Sequence, residues 1–280
     1  MAEGISQTKR HELLNRYRGI PATAQPTLYV GLLTAPPPET GDCSGIEISG
    51  NGYARVPVQS NTSNWSLPSN RAIQNAVRIL TGPATPAGWP APQGIGLFRD
   101  DSTAIADFFG AIDRASAIQV NDRFKFNPTA LVVRYDAAAR GAGIVVSHGI
   151  LDTIRGVTFT GENQYYLGFG LSDPKQTGDI NEVSGGNYER YLVPADTSFW
   201  AEPTLGAITN LEEFVLPWDA DSDITIRSVG LFSSATGGAA ELYAPLSYYD
   251  PIQGRRVMAP KSLSAGDNLV VRQNMISLSL

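Results

Sequence analysis

The sequence predicts an all-β protein: two tandem antiparallel β-sandwich domains of jelly-roll type, each preceded by a short α-helix. Three observations predict it. First, the chain repeats itself. "RHELLNRYRG" (10–19) returns as "SHGILDTIRG" (147–156), and "LYVGLL" (28–33) returns as "YYLGFG" (165–170), both 137 positions later. "TGD" at 40–42 returns at 177–179 with the same shift. The shift then falls to 135 for "SGNGYARVPV" (49–58) and "SGGNYERYLV" (184–193), and to 134 for "GIGLF" (94–98) and "SVGLF" (228–232). "QVNDRFKF" (119–126) answers loosely to "SAGDNLVV" (264–271). Matches in one order with small gaps mark a duplication. Second, each copy is a series of short β-type runs bounded by Pro, Gly, Asn and Asp. Third, 28 Gly and 19 Pro with a charged fraction of 17% describe a folded, loop-rich chain.

The repeats set the boundaries. Residues 1–136 hold the first copy, 137–146 ("AAARGAGIVV") form a small Gly/Ala-rich linker, and 147–280 hold the second. Each copy opens on a helix. Leu13, Leu14 and Tyr17 lie at i, i+1, i+4 spacing, as do Ile150, Leu151 and Ile154. Ser6 and Ser147 are the expected N-caps, and Gly19 and Gly156 the expected left-handed residues past the helix ends. Pro21 blocks any continuation of the first helix. The strands follow: "TLYVGLL", "YARVPVQ", "AVRIL", "GIGLF" and "ALVVRY" in the first copy, then "YYLGFGL", "YERYLVP", "EEFVLPW", "DITIRSVGLF" and "NLVVRQNMISLSL" in the second. Trp65 and Trp200 recur at equivalent positions and are expected in the core.

Composition excludes several functions. A net charge of −6 over this length argues against nucleic-acid binding, which normally uses a basic face. No apolar run approaches the roughly 18 residues a membrane span needs. The polar N-terminus has no signal-peptide core, so the chain is expected to fold in a cytosol. One cysteine rules out an internal disulfide and a Cys-based zinc site. No HExxH, phosphate-binding loop or dinucleotide fingerprint is present, so no catalytic residue, cofactor or metal is predicted.

Cys43, within Gly41-Asp42-Cys43-Ser44-Gly45, has the frame of a nucleophile elbow. The context does not support one. "TAPPPET" precedes it, a turn-forming segment follows it, and the second copy carries Ile180 at the same place. The two histidines, His11 and His148, are equivalent residues on the opening helices and read as structural. Asp219, Asp221 and Asp223 alternate, but the spacing lacks the Gly and Glu of a calcium loop, so they read as a solvated loop. Asp100 and Asp101 read as turn caps, and "NTS" (61–63) and "NWS" (64–66) as chance glycosylation patterns. Interface candidates remain. Lys9, Arg10, Arg16 and Arg18 give the first helix a basic character at an exposed terminus. Tyr248, Tyr249, Arg255 and Arg256 lie in "LYAPLSYYDPIQGRRV", which has no clear partner in the first copy. Trp65, Trp89, Trp200 and Trp218, with "QYYLGF" and "LSYYD", are candidates for a sugar-stacking platform or an interface, although the recurrence of Trp65 and Trp200 favours the core for those two.

The ordered motifs "LYVGLLTAPPPETG", "EISGNGYARVPV", "GIGLF" and "GLF…TGGAAELYAPL" resemble the small structural proteins of tailed bacteriophages labelled phage tail fibre proteins. The resemblance covers roughly 10–135 and 147–280. It implies a virion component rather than an enzyme, a small β domain with an N-terminal helix, and no catalytic residues to carry over. The implied role is a tail-, baseplate- or neck-associated fibre or adaptor that acts in assembly and attachment. Its implied partners are other virion proteins and copies of itself, and its assembly takes place in the host bacterial cytoplasm. Two alternatives stand beside it: a capsid (head) decoration or head-fibre protein, and a module binding host-surface glycan.

Overall fold

The computed structural model describes residues 4–112, 116–135, 142–175, 177–219, 223–250 and 255–280. The fold is all-β with two short helices, and its strands repeat in the order the sequence predicts.

The first repeat carries β1 (Gly4–Ile5), β2 (Thr27–Leu33), β3 (Val56–Gln59), β4 (Ala72–Gln74), β5 (Ile79–Leu80), β6 (Gly94–Phe98), β7 (Phe108–Ala111), β8 (Lys125–Phe126) and β9 (Val132–Arg134). Five of these form one antiparallel sheet in the order β1-β7-β6-β2-β3, and β4-β9 and β5-β8 form short ladders. Leu32 of the sheet packs with Ile48, Trp89 and Ile118, and Phe126 of a ladder closes on the same cluster.

The second repeat carries β10 (Gln164–Gly170), β11 (Tyr191–Pro194), β12 (Ala207–Thr209), β13 (Phe214–Pro217), β14 (Ile224–Ile226), β15 (Ser228–Phe232), β16 (Leu242–Pro245), β17 (Ser247–Asp250), β18 (Arg255–Met258), β19 (Lys261–Leu263), β20 (Asn268–Val271) and β21 (Ser277–Ser279). Its main sheet runs β11-β10-β15-β16, and β12-β21, β13-β20, β14-β19 and β17-β18 pair as ladders. Phe169 of the sheet and Leu216, Ile226, Leu263 and Leu269 of the ladders together line a small pocket of about 20 Å3.

The registers agree between repeats. Gly31 faces Gly96 across β2 and β6, as Gly168 faces Gly230 across β10 and β15. Ile79 faces Phe126, as Phe214 faces Val271. From Phe108 to Phe126 is 18 positions, but from Leu242 to Val271 is 29, so the second repeat carries 11 extra residues (29 − 18) there. The β17-β18 hairpin occupies that insertion.

Helix α1 (Gln7–Leu14) continues as a 3-10 turn over Asn15–Arg18, and α2 (Ile144–Asp152) as one over Thr153–Arg155. Leu13, Leu14, Tyr17, Ile150, Leu151 and Ile154 are all fully buried, as their spacing predicts. Gly19 and Gly156 take left-handed conformations with φ of 76° and 80°. Each also lies against a backbone carbonyl, that of Ala195 for Gly19 and that of Ser60 for Gly156, where a Cβ would collide. Ser6 caps α1 by accepting from the Lys9 amide at 3.2 Å. Ser147 is not a cap. Helix α2 starts three residues earlier, and the Ser147 hydroxyl bonds back to the Gly143 carbonyl at 3.0 Å. The apolar Ile144, Val145 and Val146 extend the helix beyond what the repeat alignment suggested.

The chain forms two compact units that do not follow the repeat order. The first comprises Met1–Arg10, Thr23–Asp136 and His148–Phe159; the second comprises His11–Ala22, Ala137–Ser147 and Thr160–Leu280. The division falls inside each helix. Each unit therefore contains the sheet of one repeat and the helix end of the other.

Candidate functional site

The residues that the two repeats share build one device, present once in each unit. In the first unit, Arg55 grips Glu47 through two nitrogens at 2.8 and 2.6 Å. It also donates to the carbonyls of Asp100 and Thr103 at 2.9 and 2.7 Å. Its guanidinium carbon stands 3.5 Å above the Phe98 ring centroid. The Tyr53 hydroxyl donates to Glu47 at 3.1 Å and accepts from the Leu32 amide at 2.7 Å. Burial, with Glu47 nearby, pushes the Tyr53 phenol well above its ordinary range. In the second unit Arg190 grips Glu182 at 2.7 Å twice, reaches the carbonyls of Ser234 and Gly237, and stacks on Phe232 at 3.5 Å. Tyr188 bonds Glu182 and the Phe169 amide, both at 2.9 Å.

This device explains the shared motifs. The Tyr-x-Arg of "GYAR" and "NYER" supplies the phenol and the guanidinium, and the Phe of "GLF" supplies the ring. The glycines of "YVGLL" and "YYLGF" make room for that ring. A Cβ on Gly31 would stand 2.7 Å from the Phe98 ring, and one on Gly168 would stand 2.8 Å from the Phe232 ring. Gly31→Val is accordingly expected to destabilise the first unit by about 1–3 kcal/mol through overpacking. Urea unfolding compared with the wild type measures it.

The loop holding Cys43 sits beside this device and is structural. Cys43 is buried in a cluster with Leu33, Phe98, Ala106 and Phe109. Ile180 occupies the same place in the second unit, among Phe232, Ala240 and Tyr243. The Cys43 thiol lies 3.4 Å from the Gly41 carbonyl, and burial pushes its pKa up to about 11. A nucleophilic cysteine needs the opposite shift. At pH 8 the folded protein is expected to resist iodoacetamide, and to label only when the pH passes the raised pKa or the chain unfolds. Mass spectrometry of the adduct at rising urea reads this directly.

Other shared polar residues hold turns. Asn75 and Asn210 are fully buried and satisfied. Asn75 donates to the carbonyls of Val77 and Asn127 and accepts from the Leu131 amide; Asn210 makes the same three bonds to Glu212, Arg272 and Ile276. Asn61 accepts the amides of Ser63 and Asn64 at 3.0 Å, and Asp196 accepts those of Ser198 and Phe199. The "NTS" pattern is thus half of a repeated turn whose Asn side chain caps backbone amides.

A family model described as podophage GP4 fiber I protein gp80 matches the chain twice, over residues 4–134 and 142–279. The chain belongs to this family. No curated protein matches it. The two matched segments coincide with the two repeats, so this fibre protein is a tandem duplication, and each copy contains one complete Glu–Tyr–Arg–Phe device.

The expected interface residues of the fibre protein fall into two groups. Lys9, Arg10 and Arg16 are buried, at 3, 9 and 4% exposure, rather than displayed on an open basic face. Arg16 forms an ion pair with Glu241 inside the second unit, and its guanidinium carbon lies 4.6 Å from the Tyr17 ring centroid. Arg18 is half-buried and donates to Asn15 at 2.7 Å. Long stems can cover apolar surface while their heads find partners, and a sequence shows only the charge. Tyr248, Tyr249, Arg255 and Arg256 lie on the two strands of the β17-β18 hairpin, with Tyr248 opposite Val257 and Tyr249 opposite Arg256. The side chains of these four lie outside the described residues.

Trp65, Trp89, Trp200 and Trp218 are all buried, which removes the tryptophans from any sugar-stacking platform. His11 accepts a hydrogen bond from the Gly206 amide at 3.1 Å. Asp219 is bonded by Asn187 at 2.9 Å, and Asp221 lies outside the described residues. No cluster of three or more His, Cys, Asp or Glu suited to a metal is found among the described residues. No helix there is long and apolar enough to cross a membrane.

Two features escaped the sequence. One is the Arg16–Glu241 pair, with Tyr17 and Tyr165 packed beside it at 4.9 Å between ring centroids. The other is a groove of about 470 Å3 in the second unit, between the segment 187–192 and β13. Its only sequence signal is a pair of apolar residues, Leu192 and Val215, at positions of the strand pattern that face solvent.

Proposed function

We propose that this fibre protein is a non-enzymatic structural part of the phage particle, located at the tail, baseplate or neck, where it links virion proteins and mediates attachment. Family membership over both repeats is the observation that carries this reading. The side-chain chemistry agrees with it: the ionisable residues shared by the repeats are bonded to turns and strands, and the single thiol is buried and raised. The chain folds in the host cytoplasm and is incorporated during particle assembly. Separation of purified particles into heads and tails, followed by mass spectrometry of each fraction, tests the location. Recovery with tails is the expected result. Recovery with tailless heads would assign the chain to head decoration instead.

A further inference from the structure

Two equivalent contacts mark a reciprocal exchange between the repeats. In the second unit Gly19, from the first repeat, lies against the Ala195 carbonyl. In the first unit Gly156, from the second repeat, lies against the Ser60 carbonyl. Gly156 is the repeat equivalent of Gly19, and Ala195 that of Ser60. Both helix ends therefore dock at the same place, each on the repeat to which it does not belong.

The side chains of the two segments are suited to this docking. Within the second unit Leu13, Leu14, Tyr17 and Ala22 are fully buried. His11 accepts from the Gly206 amide at 3.1 Å, the Tyr17 ring packs on Tyr165, and Arg16 pairs with Glu241. The Arg16 carbonyl lies so close to Gly161 that a Cβ there would collide. Within the first unit the 148–159 segment buries Ile150, Leu151 and Ile154 completely. Docking of each end on its own repeat would undo the charge pairing. Arg16 would then meet Asp107, which Arg99 already neutralises. Glu241 would face the uncharged Thr153, and a buried carboxylate without a cation is costly.

We infer that the two repeats are each other's binding partners. Segments 11–22 and 148–159 are docking ligands exchanged between them, and the pair stays bound without the peptide link that joins the repeats. Reciprocal use of one surface by two like partners is the arrangement of an isologous dimer, here encoded in one chain. The Arg16–Glu241 pair makes the exchange specific. This goes beyond the functional reading, and its test uses purified protein alone, so its failure leaves the tail assignment untouched.

The experiment inserts a protease site between Arg140 and Gly141 of the full chain and cuts the folded protein. Size-exclusion chromatography with light scattering then reads the mass. The cut wild type is expected to keep the mass of the uncut chain and to separate only in denaturant. Arg16 and Glu241 now lie on different fragments. Glu241→Leu is expected to weaken fragment association by roughly a hundredfold or more, and Arg16→Met on the other fragment to recover most of that loss. Circular dichroism of the uncut variants confirms that each is folded. Separation of the cut wild type under native conditions, unchanged association with Glu241→Leu, or no recovery with Arg16→Met would each overturn the inference.

Discussion

Glu241→Gln is expected to lower the stability of the second unit by about 3–5 kcal/mol, the usual loss when one partner of a buried ion pair is removed. The carboxylate is 9% exposed and faces Arg16, which is 4% exposed. Burial pushes the Glu241 carboxyl up while Arg16 draws it down, and Arg16 is itself held charged by Tyr17 and Glu241 against the cost of burial. Without the carboxylate, the buried guanidinium of Arg16 loses its ion-pair partner. Tyr17, whose hydroxyl donates to Glu241 at 3.3 Å, exchanges a charged acceptor for a weaker neutral one. Arg16→Met combined with Glu241→Leu is expected to recover most of the loss, because an apolar pair of similar volume needs no charge compensation. Guanidinium titrations with an unchanged slope would show that the effect lies in stability rather than in the unfolded state.

This pair also bears on which helix end joins which unit. The residues of α2's end that correspond to Arg16 and Tyr17 are Thr153 and Ile154, and the residue of the first unit that corresponds to Glu241 is Asp107. Asp107 is already paired with Arg99 at 2.5 Å. The 11–22 segment therefore carries, at Arg16, a charge for which the second unit holds a carboxylate, while 148–159 has the uncharged Thr153 at that position. A sequence repeat reports that two segments are alike, and it does not report which sheet each one packs on.

The second large effect is expected at Arg190. Arg190→Lys is predicted to cost about 2–4 kcal/mol, less than a fully buried pair because Glu182 is 26% exposed. An ammonium cannot make the forked pair with Glu182, reach the carbonyls of Ser234 and Gly237, and stack flat on Phe232 at the same time. The equivalent Arg55→Lys is expected to act on the first unit by a similar amount. Because each arginine serves a separate unit, the two losses should add in the double variant. Thermal unfolding of the two single variants and the double variant measures this.

Much of the fold was legible because duplication supplies an internal control. Equivalence of Cys43 with Ile180 argued against a nucleophile, and both side chains do fill the same apolar place. The left-handed glycines, the buried Trp65 and Trp200 and the strand order followed from turn chemistry and periodicity. The motifs themselves were legible as repeats, but their meaning was not. Glu47 and Arg55 are eight positions apart, and only the fold shows that their pair sits over a phenylalanine from a strand far along the chain. The basic helix was misread as exposed because its charge is visible in sequence while its acceptor, Glu241, lies 225 positions away. Ser147 was misread as a cap because the repeat match begins there, whereas the helix begins at the apolar residues before it.

The most direct measurement is a cryo-EM reconstruction of the purified particle, resolved well enough to see the two arginine–phenylalanine stacks. The account predicts this chain at external, symmetry-related positions on the tail, baseplate or neck, with both repeats present in every copy. A particle whose external densities are all assigned to other chains would contradict it.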